Sequence, residues 1–182
     1  MIETVPSGKG AIIVVDMQKD NGGRFSQPII PNIKLLIEKG REKGIPIIFA
    51  CDSRYPDDFL FTRSGHPPRA IRGTEGVKVI DELAPRPTDV VVEKRMLSAF
   101  FQSDLDFTLR MKGIEVIIVT GISTSACVLK TVMDAYEYGY QVIVPADCCA
   151  APSSEEHDWA LKYFERRNML KRSVQEVIDT LV

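Results

Sequence analysis

Long apolar runs are absent from this chain of 182 residues. Runs such as Ala11 to Val15 and Ile45 to Cys51 are far shorter than the roughly 20 residues that a helix needs to cross a bilayer. The first segment, Met1 to Gly10, also lacks the apolar stretch of a secretory signal peptide. We therefore expect a cytoplasmic location and no membrane partner.

An excess of positive charge is also missing. The chain carries 23 Lys and Arg against 25 Asp and Glu, which gives a formal net charge of -2 at pH 7. No global positive field is available to attract phosphate backbones, so we do not expect a nucleic-acid partner. The sequence contains no low-complexity tract, and its 45% of hydrophobic residues is typical of an ordinary folded domain.

Cysteine is scarce and is not arranged in a metal-binding pattern. The four cysteines, at positions 51, 127, 148 and 149, include no CxxC pair and are too few for a secreted disulfide framework. We therefore expect reduced thiols. Adjacent cysteines rarely form an unstrained disulfide, so Cys148 and Cys149 are expected to pack beside Asp147 at a strand end.

Short β-branched runs alternate with helical patterns along the chain. The predicted strands are residues 11–15, 45–50, 89–92, 115–120, 141–145 and 169–171. The predicted helices are residues 31–43, 103–112, 125–138 and 155–167, with a terminal helix capped by Ser173. Repeated strand, helix, strand units require right-handed crossovers, which place helices on both faces of a parallel sheet. We predict one Rossmann-like α/β domain over residues 1–182, with α/β/α layers and a mostly parallel sheet of about six strands.

Residues 52–76 interrupt this pattern. The segment is rich in Pro, Gly and Arg and has little periodicity. A loop of this length in a compact domain is usually functional, so we predict a lid or a substrate-binding loop.

Three reactive side chains fall at or beyond the ends of predicted strands: Asp16, Lys94 and Cys127. Parallel strands end at one edge of a sheet, and ligands bind beyond that edge, so these side chains are expected to converge. Cys127 falls in the first turn of a predicted helix, where free N-H groups and the helix dipole favour a thiolate. Lys94 would add a positive charge, and Asp16 would accept and return a proton. Each residue alone also fits a structural role, as a core cysteine, a helix-capping aspartate and a solvated lysine.

Several spaced motifs resemble those of one known family. They are Val14-Val15-Asp16-Met17-Gln18, then Lys94 with Ser98-Ala99-Phe100, then Gly121-Ile122-Ser123-Thr124-Ser125-Ala126-Cys127-Val128. The pattern continues with Thr131, Asp134-Ala135, Gly139-Tyr140 and Asp147. In this order, and over nearly the whole chain, the sequence resembles the isochorismatase-like cysteine hydrolases, which include nicotinamidases and N-carbamoylsarcosine amidohydrolases.

The resemblance implies a catalytic triad of Asp16, Lys94 and Cys127. Cys127 would attack the carbon of a C-N bond in a small amide, ureido or carbamoyl compound, and water would then cleave the thioester. The resemblance also implies a cis peptide bond between Ile122 and Ser123, which aims the backbone N-H groups of Ser123 and Cys127 at an oxyanion. Family members commonly form homodimers or homotetramers, and the same assembly is implied here.

The metal-binding pattern of the nicotinamidases is not matched. Where that group has an Asp-x-His pair and a later histidine before Gly-Thr, this chain has Asp52-Ser53-Arg54 and Arg69 ahead of Gly73-Thr74. One histidine, His66, with one carboxylate is a poor metal site, so we predict a hydrolase without a metal or other cofactor. Arg54 and Arg69 are instead predicted to bind an acidic or ureido group of the substrate, although both also fit salt bridges in a charged loop.

Two residues of the matching motifs, Phe100 and Gln18, are predicted to complete the substrate site. Phe25, Phe61 and Phe101 are weaker candidates for the pocket wall, since most aromatic residues pack in cores.

Four other functions stay open. The chain also fits a nicotinamidase with a degenerate metal site, or an isochorismatase, which cleaves a vinyl ether. It fits a non-catalytic binding or assembly protein that retains the fold. A redox protein is the fourth reading, and it requires a second cysteine within disulfide reach of Cys127.

Overall fold

The computed structural model describes residues 4–21, 23–167 and 169–182, without the side chain of Arg24. The rest of the predicted 1–182 domain, residues 1–3, 22 and 168, lies outside the described residues. The strands are β1 (Gly10–Val15), β2 (Ile47–Asp52), β3 (Val90–Lys94), β4 (Val116–Ile122), β5 (Gln141–Pro145), β6 (Cys149–Ala150) and β7 (Leu170–Arg172). The helices are α1 (Gly23–Ser26), α2 (Ile30–Glu42), α3 (Phe59–Ser64), α4 (Leu105–Met111), α5 (Cys127–Glu137), α6 (Ser154–Arg166) and α7 (Val174–Ile178).

The strands form one parallel sheet in the order β3-β2-β1-β4-β5-β7. The short β6 lies off this path and pairs with the end of β4. The prediction of an α/β fold with a six-stranded parallel sheet in a single domain is thereby confirmed.

The sheet order reverses between β1 and β4. From β1 the chain runs outward to β2 and β3, and it then crosses back to place β4 on the other side of β1. At such a point the connections leave the two strand ends on opposite faces, which opens a crevice between them. Asp16 follows β1 and Cys127 begins the helix after β4, so the fold brings both residues to this crevice.

Burial on both faces of the sheet explains why the strands read as continuous apolar runs. Every residue of β1, β2 and β4 is buried. Leu109, Val132 and Phe164 pack α4, α5 and α6 into the core on one face. Leu36 and Val177 pack α2 and α7 into the core on the other face. Within the described ranges, no helix is both long and apolar enough to span a membrane.

Several predicted boundaries differ from the structure by one or two residues, including the end of β2, which lies at Asp52 rather than at residue 50. The helix α5 begins at Cys127, two residues later than predicted, because the residues before it form a turn. In that turn the N-H groups of Ala126 and Val128 both donate to the Ser123 carbonyl. The predicted loop over residues 52–76 contains α3, and its ends are joined where Arg54 pairs with Ile71. Its role as a lid stays a prediction.

Candidate active site

Asp16 and Lys94 meet where β1 and β3 end. Lys94 Nζ lies 2.9 Å from Asp16 Oδ2. The other carboxylate oxygen accepts a hydrogen bond from the backbone N-H of Asp52 at 3.2 Å. Asp16 has a φ of 54°, a left-handed backbone that is unusual for a non-glycine residue and is frequent at functional sites. Partners from two neighbouring strands thus hold this carboxylate in one orientation.

Every donor of Lys94 is used within the protein. Its ammonium donates to Asp16, to Asp52 Oδ1 at 2.6 Å and to the Met96 carbonyl at 3.1 Å. An ammonium has three N-H donors, so none is left for a substrate. Burial opposes the charged form of the Lys94 ammonium, but its interactions with Asp16, Cys127 and Asp52 outweigh burial and raise the pKa of Lys94. Lys94 therefore supplies a fixed positive charge beside Asp16.

Asp52 is a member of this cluster that the sequence motifs did not single out as functional. It ends β2, and its carboxylate connects Lys94 to the guanidinium of Arg54, which lies 2.7 Å from Oδ2. Two carboxylates and two cations thus compensate one another in a buried site. The position of Asp52 at the end of a strand beside that of Asp16 is the signal that could have identified it.

Cys127 lies in the first turn of α5, and its side chain is buried. Burial raises the pKa of this thiol well above its usual value, and the charge of Asp16 adds to that effect, whereas Lys94 opposes it. Burial and the neighbouring carboxylate thus oppose the resting thiolate that Lys94 and the helix dipole favour. Asp16 is the adjacent acceptor for the proton of this thiol.

The surroundings of Asp16 suit a group that accepts a proton and later returns it. Burial raises the pKa of Asp16 to about 6, although the charge of Lys94 lowers it. The charge of Asp52 raises this pKa further, and a hydrogen bond with the Cys127 thiol lowers it. A general acid or base is most effective when its pKa lies near the working pH, so Asp16 is suited to both roles.

The turn between β4 and α5 presents backbone donors at the same place. The peptide bond between Ile122 and Ser123 is cis. Among the described residues, no acceptor receives the backbone N-H of Ser123 or that of Cys127. Unpaired N-H groups beside a nucleophile are the donors that an oxyanion hole needs.

An open cavity of about 490 Å³ adjoins this cluster. The crevice side is lined by Asp16, Asp52, Ile122, Ser123, Ala126 and Cys127, and the 52–76 segment contributes Arg54, Leu60, Phe61, Ser64, His66 and Arg69. Asp20, Asn21, Phe25, Leu97 and Pro152 complete the wall. A cavity of this size fits a small molecule, and Cys127, Asp16 and Ser123 all line it.

Arg54 and Arg69 give one wall of the cavity a positive character. Arg54 is buried, pairs with Asp52 and lies 5.8 Å from the centre of the Phe61 ring. Its buried Nε has no hydrogen-bond acceptor among the described residues. Arg69 is exposed. Their predicted contact with a substrate stays a prediction.

Gln18 does not line the cavity, so its predicted role in substrate binding is corrected. Its Nε2 donates to the carbonyls of Asp52 and Val77. Its Oε1 accepts from the Asp52 N-H and from the Asn21 side chain. The amide is fully engaged, and Gln18 therefore holds the end of β2 rather than a ligand.

The aromatic wall of the cavity also differs from the prediction. Phe100 packs in the core, 5.3 Å from the ring of Tyr138, and does not line the cavity. Phe25 and Phe61, the weaker candidates, line it instead. Phe101 is half exposed and lies outside the cavity lining. Membership of a sequence motif did not distinguish an aromatic residue of the core from one of the pocket.

The geometry of the site agrees with the comparison to known families. The family model for the isochorismatase domain matches residues 10–180 of this chain, a range that contains the whole cluster. The chain belongs to the isochorismatase family. Ureidoacrylate amidohydrolase RutB of Stutzerimonas stutzeri is 33% identical over 168 residues, which cover 75% of this chain and 68% of that protein.

Solved structures of the isochorismatase family share this fold. An isochorismatase-like hydrolase from Alkaliphilus metalliredigens has a TM-score of 0.87 and 30% identity, with 94% of this chain and 98% of that chain covered. N-carbamoylsarcosine amidase from Thermoplasma acidophilum has a TM-score of 0.82 and 31% identity, with 91% of this chain and 96% of that chain covered. The family resemblance inferred from the motifs is thereby confirmed.

The metal site of nicotinamidase relatives is not reproduced in this member of the family. Asp52 is the aspartate that the resemblance implied as the counterpart of a metal ligand, but its two oxygens are occupied by Lys94 and Arg54. Within the described ranges, no group of three or more His, Cys, Asp or Glu is arranged to hold a metal ion. This donor set does not fit a divalent cation, because a guanidinium takes the place of a neutral ligand.

The other cysteines differ from Cys127 in their surroundings. All four cysteines are free and buried, and Cys127 is the one among them that lines the described cavity. Burial raises the pKa of Cys51 to about 12 and that of Cys149 to about 12, and it also raises the pKa of Cys148. These three thiols lie outside the cavity that Asp16 and Cys127 line, so they are expected to react more slowly than Cys127 with small electrophiles at neutral pH.

Proposed function

We propose that this protein hydrolyses a C-N bond in a small amide, ureido or carbamoyl compound through a covalent intermediate on Cys127. The observation that carries the proposal is the ion pair of Asp16 and Lys94 beside the Cys127 thiol at one wall of the cavity. The unpaired N-H groups of Ser123 and Cys127 support it further.

The reaction starts with removal of the thiol proton. Asp16 accepts this proton while the sulfur of Cys127 forms a bond to the carbonyl carbon, and the C=O π electrons move to the oxygen. The backbone N-H groups of Ser123 and Cys127 donate to the oxyanion. Lys94 keeps the proton acceptor in position without touching the substrate.

Release of the amine or ammonia follows. Asp16 gives its proton to the leaving nitrogen, the C-N bond breaks, and a thioester remains on Cys127 (a thiocarbamate for a ureido compound). Asp16 then takes a proton from water, whose oxygen attacks the same carbon. The C-S bond breaks, and the proton returns to the sulfur. The sum is the addition of one water molecule across the C-N bond.

The substrate is further proposed to carry a carboxylate. Arg54 and Arg69 both line the cavity, and a guanidinium presents a planar fork of donors that matches a carboxylate. The buried Nε of Arg54, which has no acceptor among the described residues, supports this role for that side chain.

An ammonia-release screen over carboxamides, ureides and carbamoyl amino acids tests the proposal, with Cys127→Ala as the control. We expect N-carbamoylglycine to be hydrolysed with a kcat/KM at least about tenfold above that of its methyl ester. Ammonia release by Cys127→Ala at the wild-type rate would contradict a covalent intermediate on Cys127. Equal kcat/KM values for the acid and its methyl ester would contradict the proposal that the substrate carries a carboxylate. Ammonia release from nicotinamide that is lost on chelation would favour a nicotinamidase instead.

The chain is also proposed to form a homodimer or homotetramer. Phe107 and Met111 are one turn apart on α4 and are 68% and 71% exposed, respectively, which supports an apolar contact between copies. Light scattering of the purified protein measures the mass directly. A monomer across the accessible concentration range would contradict this part of the proposal.

A further inference from the structure

The turn between β4 and α5 carries the proposed oxyanion donors, and hydrogen bonds hold it on the side away from the cavity. Ser123 and Ala126 line the cavity, whereas Thr124 and Ser125 do not. Thr124 is fully buried, and its backbone N-H donates to the Ala150 carbonyl of β6 at 2.8 Å. The strand β6 thus holds one side of the turn.

The first turn of α6 holds the other side. Thr124 Oγ1 lies 2.9 Å from His157 Nδ1. Ser125 Oγ donates to Glu156 Oε2 at 2.7 Å. Ser123 Oγ lies 3.1 Å from Ser125 Oγ, which extends the hydrogen-bonded chain to a residue of the cavity wall. Two consecutive residues of the helix therefore bind two consecutive residues of the turn.

The helix α6 is itself fixed at this end. The Ser153 side chain accepts the Glu156 N-H at 3.2 Å, which is the bond expected from the spacing of these two residues. Leu161 and Phe164 bury one side of the helix in the core. Neither Glu156 nor His157 lines the cavity, so neither is placed to touch a substrate.

We propose that His157 and Glu156 are positioning residues that fix the backbone donors of Ser123 and Cys127 for the oxyanion. The role rests on the proposed function, because it requires a reaction that passes through an oxyanion. Donors to an oxyanion act over a narrow range of distance, and a displacement of about 1 Å costs up to about 100-fold in rate. Side-chain bonds from a second helix restrict that displacement.

His157 contributes more than Glu156 because its bond is less exposed. Burial lowers the pKa of His157, so the imidazole is neutral at pH 7. Nδ1 of this neutral ring shares one hydrogen bond with the hydroxyl of Thr124, and the tautomer sets which of the two donates. Glu156 is exposed, and water competes for its bond to Ser125.

Hydrogen-deuterium exchange tests the positioning without any substrate. His157→Ala should raise the exchange rate of the peptide that spans residues 121–128 by about tenfold, and Glu156→Ala should raise it less. Glu155→Ala, which removes the same charge from the same helical turn, should leave this exchange unchanged. His157→Asn should restore protection, since its side-chain amide can donate or accept near the position of Nδ1. Unchanged exchange in His157→Ala would overturn the proposal.

Kinetics on the best substrate of the ammonia screen give the second readout. His157→Ala should lower kcat by about 10- to 100-fold and change KM by less than about threefold, because the contacts of the cavity remain. The rate at which iodoacetamide alkylates Cys127 should stay at the wild-type value, since that reaction forms no oxyanion. A kcat equal to that of Glu155→Ala, or parallel losses of kcat and alkylation, would overturn the proposal.

Failure of the proposed function is distinguishable from failure of the positioning role. A wild-type protein that releases no ammonia from any compound of the screen contradicts the proposed function. The exchange experiment then decides by itself whether His157 and Glu156 fix the turn.

Discussion

At the scale of single residues, the protonation of the Cys127 thiol differs most from what the sequence favours. A helix N-terminus and a nearby ammonium favour a thiolate, and the sequence shows both features for Cys127. The sequence does not show that the thiol is buried beside Asp16, and these two effects raise its pKa instead. The proposed reaction therefore depends on Asp16 as a proton acceptor beside the sulfur.

Replacing Asp16 by Asn tests that dependence. The amide cannot accept the thiol proton, so kcat for the best amide substrate should fall by about 100- to 10,000-fold. Ammonia release measures the loss, and Asp158→Asn, an exposed change on α6, serves as the control for the lost charge. Comparable activity in the two variants would contradict the role of Asp16.

Arg69 allows a test of substrate binding that leaves the fold intact, because its side chain is exposed. Arg69→Ala should raise the KM for N-carbamoylglycine by about tenfold and leave kcat unchanged, since the lost contact is distant from the reacting carbon. Steady-state kinetics provide the measurement. Arg63→Ala, in the same segment but outside the cavity lining, should leave the KM unchanged. If the two variants gave the same KM, Arg69 would not bind the carboxylate.

Positions at strand ends predicted that Asp16, Lys94 and Cys127 cluster, but the motifs did not predict which of their residues line the cavity. Asp16, Lys94 and Cys127 lie at or beyond the ends of strands of one parallel sheet, and parallel strands end together. Gln18 and Phe100 belong to the same motifs and have internal partners instead. Hydrogen-bond partners and packing depend on residues distant in the chain, which no local pattern identifies.

At the scale of elements, the pairing of β1 with β4 places the carboxylate next to the nucleophile. Gly121 of β4 lies opposite Val15, the residue before Asp16. Gly121 has a φ of +108°, and a Cβ atom there would lie 2.1 Å from the Val15 carbonyl oxygen. A side chain at this position would therefore push apart the two strand ends that carry the site.

Gly121→Ala should lower the free energy of unfolding by about 3 kcal/mol or more, because backbone strain and a backbone clash add. Gly113→Ala is the matched control, since Gly113 also has a positive φ of +66° but a Cβ atom there would meet no other atom within 4 Å. That variant should lose about 1 kcal/mol from strain alone. Urea unfolding measures both values. Equal losses would contradict the role of the close approach between β1 and β4.

At the scale of the whole molecule, continuous apolar strands and alternating helices were sufficient to predict the fold class. The sheet order was not predicted, because it depends on which strands pair across long stretches of chain. Asp52 illustrates the consequence, since it bonds with Lys94 only because β2 lies between β1 and β3. The start of α5 was also placed too early, because the turn at residues 123–126 has its own hydrogen bonds.

The pH dependence of Cys127 alkylation tests the cooperation of the cluster most directly. Iodoacetamide labelling, followed by peptide mass spectrometry between about pH 5 and 8, reports each cysteine without a substrate. The pKa of Asp16 is raised to about 6, so its carboxylate becomes protonated, and unable to accept the thiol proton, as the pH falls through that value. Labelling of Cys127 should therefore rise through a step with a midpoint near pH 6 and exceed that of Cys51, Cys148 and Cys149, and Asp16→Asn should remove this step. Identical profiles in the wild type and Asp16→Asn, or equal labelling of all four cysteines, would contradict the account.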